Sequence, residues 1–313
     1  MASLKDIRRR IGSVKNTQQI TKAMKMVAAA KLRRAQDMIT SARPFAEKIE
    51  ELSFRVIAEL TENARGMKEE KAQQYLTGLH PLLKNPGQGP KKIALLVVSS
   101  DRGLCGAYNT NLTKFALKQY QALTDENEGV SPEVFFVGKK AKDVFSKKGI
   151  NGEIEKDFWS GSFNRFKSAE LTDRFVKAFI EGTYDRVEMV YTEFVSVLTQ
   201  TQKAKTLLPL SLPVKSQNSV ASEVSDYKSF IYKPGQKELL EKLLPAQVQT
   251  QFFKCFADSL ASEFGSRMTS MDNATRNAKE MIQKLTLKAN RVRQASITSE
   301  LIEIVSGAEA LKA

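Results

Sequence analysis

The chain has 313 residues, enough for two domains, and with 42% hydrophobic residues it can bury a sizeable core. Two distant cysteines, Cys105 and Cys255, and a single histidine, His80, argue against a disulfide framework, a zinc pattern or histidine-based acid–base chemistry. A net charge of +14 and a pI near 9.6 point to an acidic partner, whether nucleic acid, anionic lipid or a protein surface, while no apolar run is long enough to span a bilayer.

Residues 4–60 carry a small or apolar side chain at most steps of a three-four spacing, which predicts one long helix. The run includes Leu4, Ile7, Ile11 and Val14, gives way to polar Gln18, Thr21 and Lys25, and resumes at Ala28, Leu32, Ala35 and Ile39. Ser3 is its expected N-cap. Pro44 removes a backbone donor and is expected to kink or divide the helix. From Thr17 to Lys31 the apolar residues, Met24, Met26, Val27 and Ala28 among them, spread around much of the helix circumference. A surface helix needs one stripe, so this stretch is either enclosed by other chains or makes a wider contact within its own.

Residues 61–91, rich in glycine and proline, read as a linker with room for a short helix at 69–76. Residues 93–99 (IALLVVS) form a short apolar block with the look of a buried parallel strand. Helix is expected at 111–123, strand at 134–137, helix at 141–147 and 169–181, and strand at 186–197. This alternation predicts an α/β domain with a mainly parallel sheet. Residues 199–212 read as turn or edge strand, 215–226 as loose chain and 227–232 as a further strand. A helix then starts at Gln236, is interrupted by Pro245, and resumes to the C-terminus with the strip Ala257, Leu260, Phe264, Met271, Ala274, Ala278, Met281, Leu285, Val292, Ala295 and Ile302. Arg267, Lys288 and Ser299 interrupt that strip.

Two long helices at opposite ends of a chain, each with an unpartnered strip, predict each other as partners. The fold class is therefore α/β with a long antiparallel coiled coil of the N- and C-terminal helices plus a central Rossmann-like domain. The predicted divisions are 1–60, 61–91, 92–235 and 236–313. Residues 1–36 hold ten Lys/Arg and one acid; residues 273–298 hold six and one. Antiparallel pairing would bring these basic stretches together.

The motif from Ser99 to Asn109 (SSDRGLCGAYN) lies between a strand and a helix, where open α/β sheets bind phosphates. It lacks the Gly-Lys-Ser/Thr of a P-loop and has only Gly103 and Gly106, too few for a dinucleotide fingerprint. A tight turn is the expectation, with Asp101 and Arg102 either fixing it or touching a neighbouring chain, and with Cys105 a small packed residue rather than a nucleophile. Phe158 and Trp159 are expected to close the α/β core. No constellation supports an enzyme.

Ile7 to Ile11 with Asn16 to Ala28, the motif from Ser99 to Gly106 with Asn109, and Ser266 to Ala278 with Asn290 to Ala308 together resemble the F-type ATP synthase gamma subunit, in its bacterial form. The resemblance spans essentially the whole chain. It implies a central-stalk rotor subunit that transmits torque between a proton-driven membrane ring and a catalytic hexamer. The partners implied are the alpha and beta subunits, epsilon, delta and the membrane c-ring. It also implies a peripheral place on the cytoplasmic face of the inner membrane, without cofactor, metal, catalytic residue or direct small-molecule substrate. Carried onto matching positions, Met24, Arg267, Gln294, Thr298 and Glu300 are implied to touch or tune the catalytic ring. Lys22 and Arg293 join them on charge alone. The close cysteine pair of plastid members is absent, and residues 62–90 are longer than in compact bacterial forms. The competing readings are a basic coiled-coil nucleic-acid-binding protein, weakened by the lack of aromatics among the basic runs, and a nucleotide-dependent enzyme on the α/β domain.

Overall fold

The computed structural model describes residues 3–62, 78–84, 91–127, 129–159, 163, 165–210, 233 and 235–310. The elements expected at 69–76 and 227–232, and the loose stretch at 215–226, lie outside these residues.

Two helices dominate. α1 runs Leu4–Glu62 and α5 runs Gln236–Ala310. At 1.5 Å per residue they are about 88 and 112 Å long. Ser3 caps α1: its Oγ accepts from the Asp6 amide at 3.2 Å and donates to the Asp6 carboxylate at 2.9 Å. Neither proline breaks its helix. Pro44 lies within an undivided α1, and Pro245, expected to interrupt, lies inside an unbroken α5. The reason at Pro245 is packing. Leu240, Leu244 and Val248 flank it on one fully buried face, and their burial outweighs one lost backbone bond.

The helices pair antiparallel in a fixed register. Thr275 donates to Thr21 at 2.8 Å, Lys25 bonds Asp272 at 2.6 Å, and Gln236 donates to Glu59 at 3.0 Å. Paired residue numbers thus total 295 to 297 along the whole contact. Two of the polar gaps in the α1 strip, Thr21 and Lys25, meet polar partners from α5. Ile7 and Ala289 are the last buried positions at the far end. The expected strip beyond Val292 therefore has no partner, because by this register α1 starts opposite residue 292.

Between the helices lies one five-stranded sheet in the order β3-β2-β1-β4-β5. Its strands are β1 (Ile93–Val98), β2 (Glu133–Val137), β3 (Gly152–Glu155), β4 (Arg186–Phe194) and β5 (Gln200–Leu208). The first four run parallel and β5 joins β4 antiparallel. β1 is central and buried at every residue, as its unbroken apolar run predicts. β3, with one apolar residue in GEIE, gives no periodic signal and was not expected. The region read as turn or edge strand after residue 198 is the edge strand.

α2 (Tyr108–Glu126) and α3 (Lys139–Ser146) cover one face, packing on Leu95, Val97, Phe136 and Val190. α4 (Arg165–Ile180) covers the other, and so do the lower halves of α1 and α5. The two long helices thus do not serve only each other: Val56, Ile57, Val248, Phe252 and Phe256 belong to the same core as Leu96, Phe135 and Met189. Within the stretch read as linker, Pro81–Leu83 form a 3-10 turn whose Leu82 and Leu83 are buried in that core. The Leu82 carbonyl accepts from the Leu210 amide at 2.9 Å.

Candidate functional site

α5 leaves the sheet at the carboxyl ends of the parallel strands, the place where open α/β sheets hold ligands. Here the helix itself fills it. The Thr192 amide of β4 donates to Ser259 Oγ at 3.3 Å, and Ser262 Oγ donates to the Thr192 carbonyl at 3.2 Å. Tyr108, at the start of α2, is buried against this stretch, and burial drives its phenol pKa far up.

The loop after β1 closes the junction. Ser100 Oγ donates to the Arg102 carbonyl at 2.7 Å, and Asn109 Nδ2 donates to Ser100 Oγ at 2.8 Å and to Cys105 Sγ at 3.1 Å. Asp101 accepts from the Lys139 amide at 3.1 Å, so it secures the first turn of α3. Gly138, at φ 101°, leaves room there that a Cβ would take, since it would fall 2.2 Å from the Ser99 carbonyl oxygen. Trp159 Nε1 donates to that same carbonyl at 2.9 Å. The loop is therefore a bonded turn, as its composition predicts. Burial raises the Cys105 thiol pKa, only partly offset by Arg267, so it is poorly suited to nucleophilic attack. Phe158 lies in the core and Trp159 packs on it, as expected.

Arg267 sits at this junction. Its side chain is 12% exposed, pairs with Glu263 one turn below, and donates through Nη2 to the Gly103 carbonyl at 3.1 Å and the Arg102 carbonyl at 3.4 Å. Burial raises the Glu263 carboxyl pKa and Arg267 opposes that rise.

Further along, the rod is bare on its outer side. Met24 is half-buried and Lys22 exposed, while Ile20, Met26 and Val27 are each at least 57% exposed. Of the apolar spread around residues 17–31, Ala28 is buried in the helix pair, while Ile20, Met26 and Val27 are left bare. Beyond residue 292, α5 runs alone. Arg293, Gln294, Thr298 and Glu300 are all exposed, and so are the apolar Ile297, Leu301, Ile302, Ile304 and Val305. These four site residues share one lone helical segment, whereas by the register Met24 and Lys22 lie about 30–40 Å lower at the helix rise of 1.5 Å per residue, and Arg267 lies at the sheet. Sequence reasoning missed Ser259, Ser262 and Glu263; a hydroxyl or carboxylate inside an apolar strip was the available signal. Among the described residues, no cluster of metal-ligating side chains is present, and no helix is long and apolar enough to cross a membrane.

A family model described as ATP synthase matches residues 3–311. The ATP synthase gamma chain of Bdellovibrio bacteriovorus is 41% identical over 318 aligned positions, covering all of both chains. That of Desulforamulus reducens is 42% identical over 314, again covering all of both. The chain belongs to the ATP synthase gamma chain family. The family's fold is seen in a solved structure at lower identity. A chain in the Euglena gracilis mitochondrial ATP synthase structure described as OSCP/F1/c-ring aligns at TM-score 0.60 with 18% identity, over 98% of this chain and 94% of that one. The full-length match to gamma chains leaves the sequence motifs at both ends accounted for by one family.

Proposed function

We propose that this gamma chain is the central rotor of a proton-translocating ATP synthase. It carries torque between a membrane c-ring at its sheet end and an alpha/beta hexamer around its rod. Epsilon and delta subunits complete the partner set. In this reading residues 1–60 and 236–313 are the shaft, 92–235 the foot, and 61–91 the connection. The chain itself is non-catalytic and lies peripherally on the cytoplasmic face of a bacterial inner membrane.

The single observation that carries the reading is the continuity of α5 from a fully buried core at Phe256 to a bare tip beyond residue 292. A stiff helix anchored at one end and naked at the other suits a part that turns inside a sleeve supplied by other chains. Large exposed apolar side chains on such a tip need a partner surface, and Lys288, Arg291 and Arg293 just below them favour an acidic surface there. To drive neighbours between states, the shaft must contact them unequally; equal binding shifts nothing. The off-axis overhang of one helix past the other supplies that asymmetry. Met24, Lys22, Arg293, Gln294, Thr298 and Glu300 are proposed to meet the catalytic hexamer. Arg267, at the base of that surface, holds the loop after β1. Nothing in the relatives favours the nucleic-acid reading.

The test is isolation of the tagged chain from cells, with alpha and beta subunits expected in stoichiometric amount. In membranes, Met24→Lys is expected to lower proton pumping per ATP hydrolysed while the rod stays folded, since an added ammonium would enter a tight bearing. Unchanged coupling in a normally assembled complex would count against the proposed contact.

A further inference from the structure

Five polar side chains fall on one stripe of α5 at its exit from the sheet: Ser259, Ser262, Glu263, Ser266 and Arg267. Their spacing of three and four puts them on a single helix face. Between them they reach three strand ends. Ser259 and Ser262 bond the Thr192 amide and carbonyl on β4. Ser266 Oγ donates to Gln200 Oε1 at 2.6 Å, at the start of β5. Arg267 reaches the Gly103 and Arg102 carbonyls just past β1. We infer that this stripe is a torsional lock between sheet and rod, with Arg267 as its positioning residue.

The argument is one of direction. Apolar burial holds two bodies together but is indifferent to their angle, because it scales with area removed from water. Hydrogen bonds weaken steeply when bent. A rod held only by the Phe252 and Phe256 core could creep about its own axis under load. One held by bonds to three separate strand ends resists that rotation at each of them. A buried ion pair is no better for stability than two apolar side chains of like volume. Glu263 and Arg267 nevertheless stand inside a helix strip that apolar residues could have filled, and the guanidinium fork is what spans two carbonyls and a carboxylate at once. Past this level the described hydrogen bonds between α5 and another element, those with Lys25 and Thr21, go to α1. Gly106 is at the margin, where an added Cβ would lie 3.9 Å from Ser270 Cβ.

The inference rests on the rotor reading, and its test separates the two. In the assembled complex, held by its beta subunits and driven by ATP, a probe on the sheet domain reports the angular spread within each pause. Glu263→Met with Arg267→Met, which removes both charges together and so leaves neither buried alone, is expected to widen that spread. Arg267→Lys, able to serve fewer acceptors, is expected to widen it less, and is the variant read if the double change does not assemble. A spread unchanged in both variants would overturn the lock. So would slowed stepping without any widening, which would mean that Arg267 acts on the catalytic ring. A probe that does not turn even on the unaltered chain would instead sink the rotor reading itself. Amide exchange in the loop from Gly103 to Tyr108 is the second measurement: it is expected to quicken in the variants, and protection equal to the unaltered chain would contradict the lock.

Discussion

Phe256 meets Phe158, Trp159, Phe163 and Phe252 with ring centroids 4.7 to 6.4 Å apart, and it is wholly buried. Replacing it with alanine removes the ring contacts of α5 with Phe158, Trp159 and Phe163 of the foot, so Phe256→Ala is expected to cost about 3–5 kcal/mol in urea unfolding. A second residue couples stability to pH. Asp258 is buried one turn from Cys255, and burial raises its carboxyl pKa to about 7; Lys254 opposes that rise and Glu193 adds to it, with Arg43 and Lys203 opposing from farther elements. Its folded pKa lies above its unfolded one, so the unfolded chain releases the proton first. The destabilisation is absent below about pH 4, grows as pH rises from there, and is complete above about pH 7. Asp258→Asn should raise the urea midpoint at pH 8 and leave it little changed at pH 4; equal shifts at both would contradict the assignment. The motif from Ser99 to Asn109 was legible as a turn because glycine, asparagine and serine in that order have few other uses. The Arg267 contact was not, because sequence spacing says nothing about which distant carbonyls a guanidinium will find.

At the scale of elements, the two prolines carry a lesson about weighing local against tertiary effects. Pro44 is exposed, as are Thr40 and Arg43 beside it, so the carbonyl it leaves unbonded can be hydrated. Pro44→Ala restores a backbone bond without losing packing and is expected to stabilise the chain by about 1–3 kcal/mol in thermal or urea unfolding. Ala35 and Ala261 stand in the opposite situation. Both are fully buried where the helices cross near Leu32 and Phe264. Ala261→Leu should cost about 1–3 kcal/mol by overpacking, read from the same unfolding curves. The long helices and the buried central strand were readable because their patterns are strong: three-four over dozens of residues, or six consecutive buried positions in β1. The strand order was not, because a pattern along the chain does not say which strands are neighbours. β3 was not, because at a sheet edge the backbone ladder to β2 supplies the pairing and the side chains need no pattern.

For the molecule as a whole, the register separates stability from task. The described residues beyond 292 bond only within their own helix and are exposed, so removing them uncovers nothing described as buried. Truncation after Val292 is therefore expected to leave the unfolding midpoint of the isolated chain nearly unchanged while ATP synthesis in membranes falls. Removal from Glu309 onward should be far milder in the second measurement. Equal loss of synthesis from the two truncations would contradict a shaft gripped along its bare end.

The constant total of paired residue numbers has an evolutionary corollary. An insertion of one turn in α1 alone would slide each of its residues past its opposite number, breaking the meeting of Thr21 with Thr275 and of Lys25 with Asp272 together. Length can change in this pair only if both limbs change in step, or if the change falls in the solitary tail. Homologous axles should therefore differ in length mainly at that tail and in the loops of the foot, and keep a matched count of turns between them.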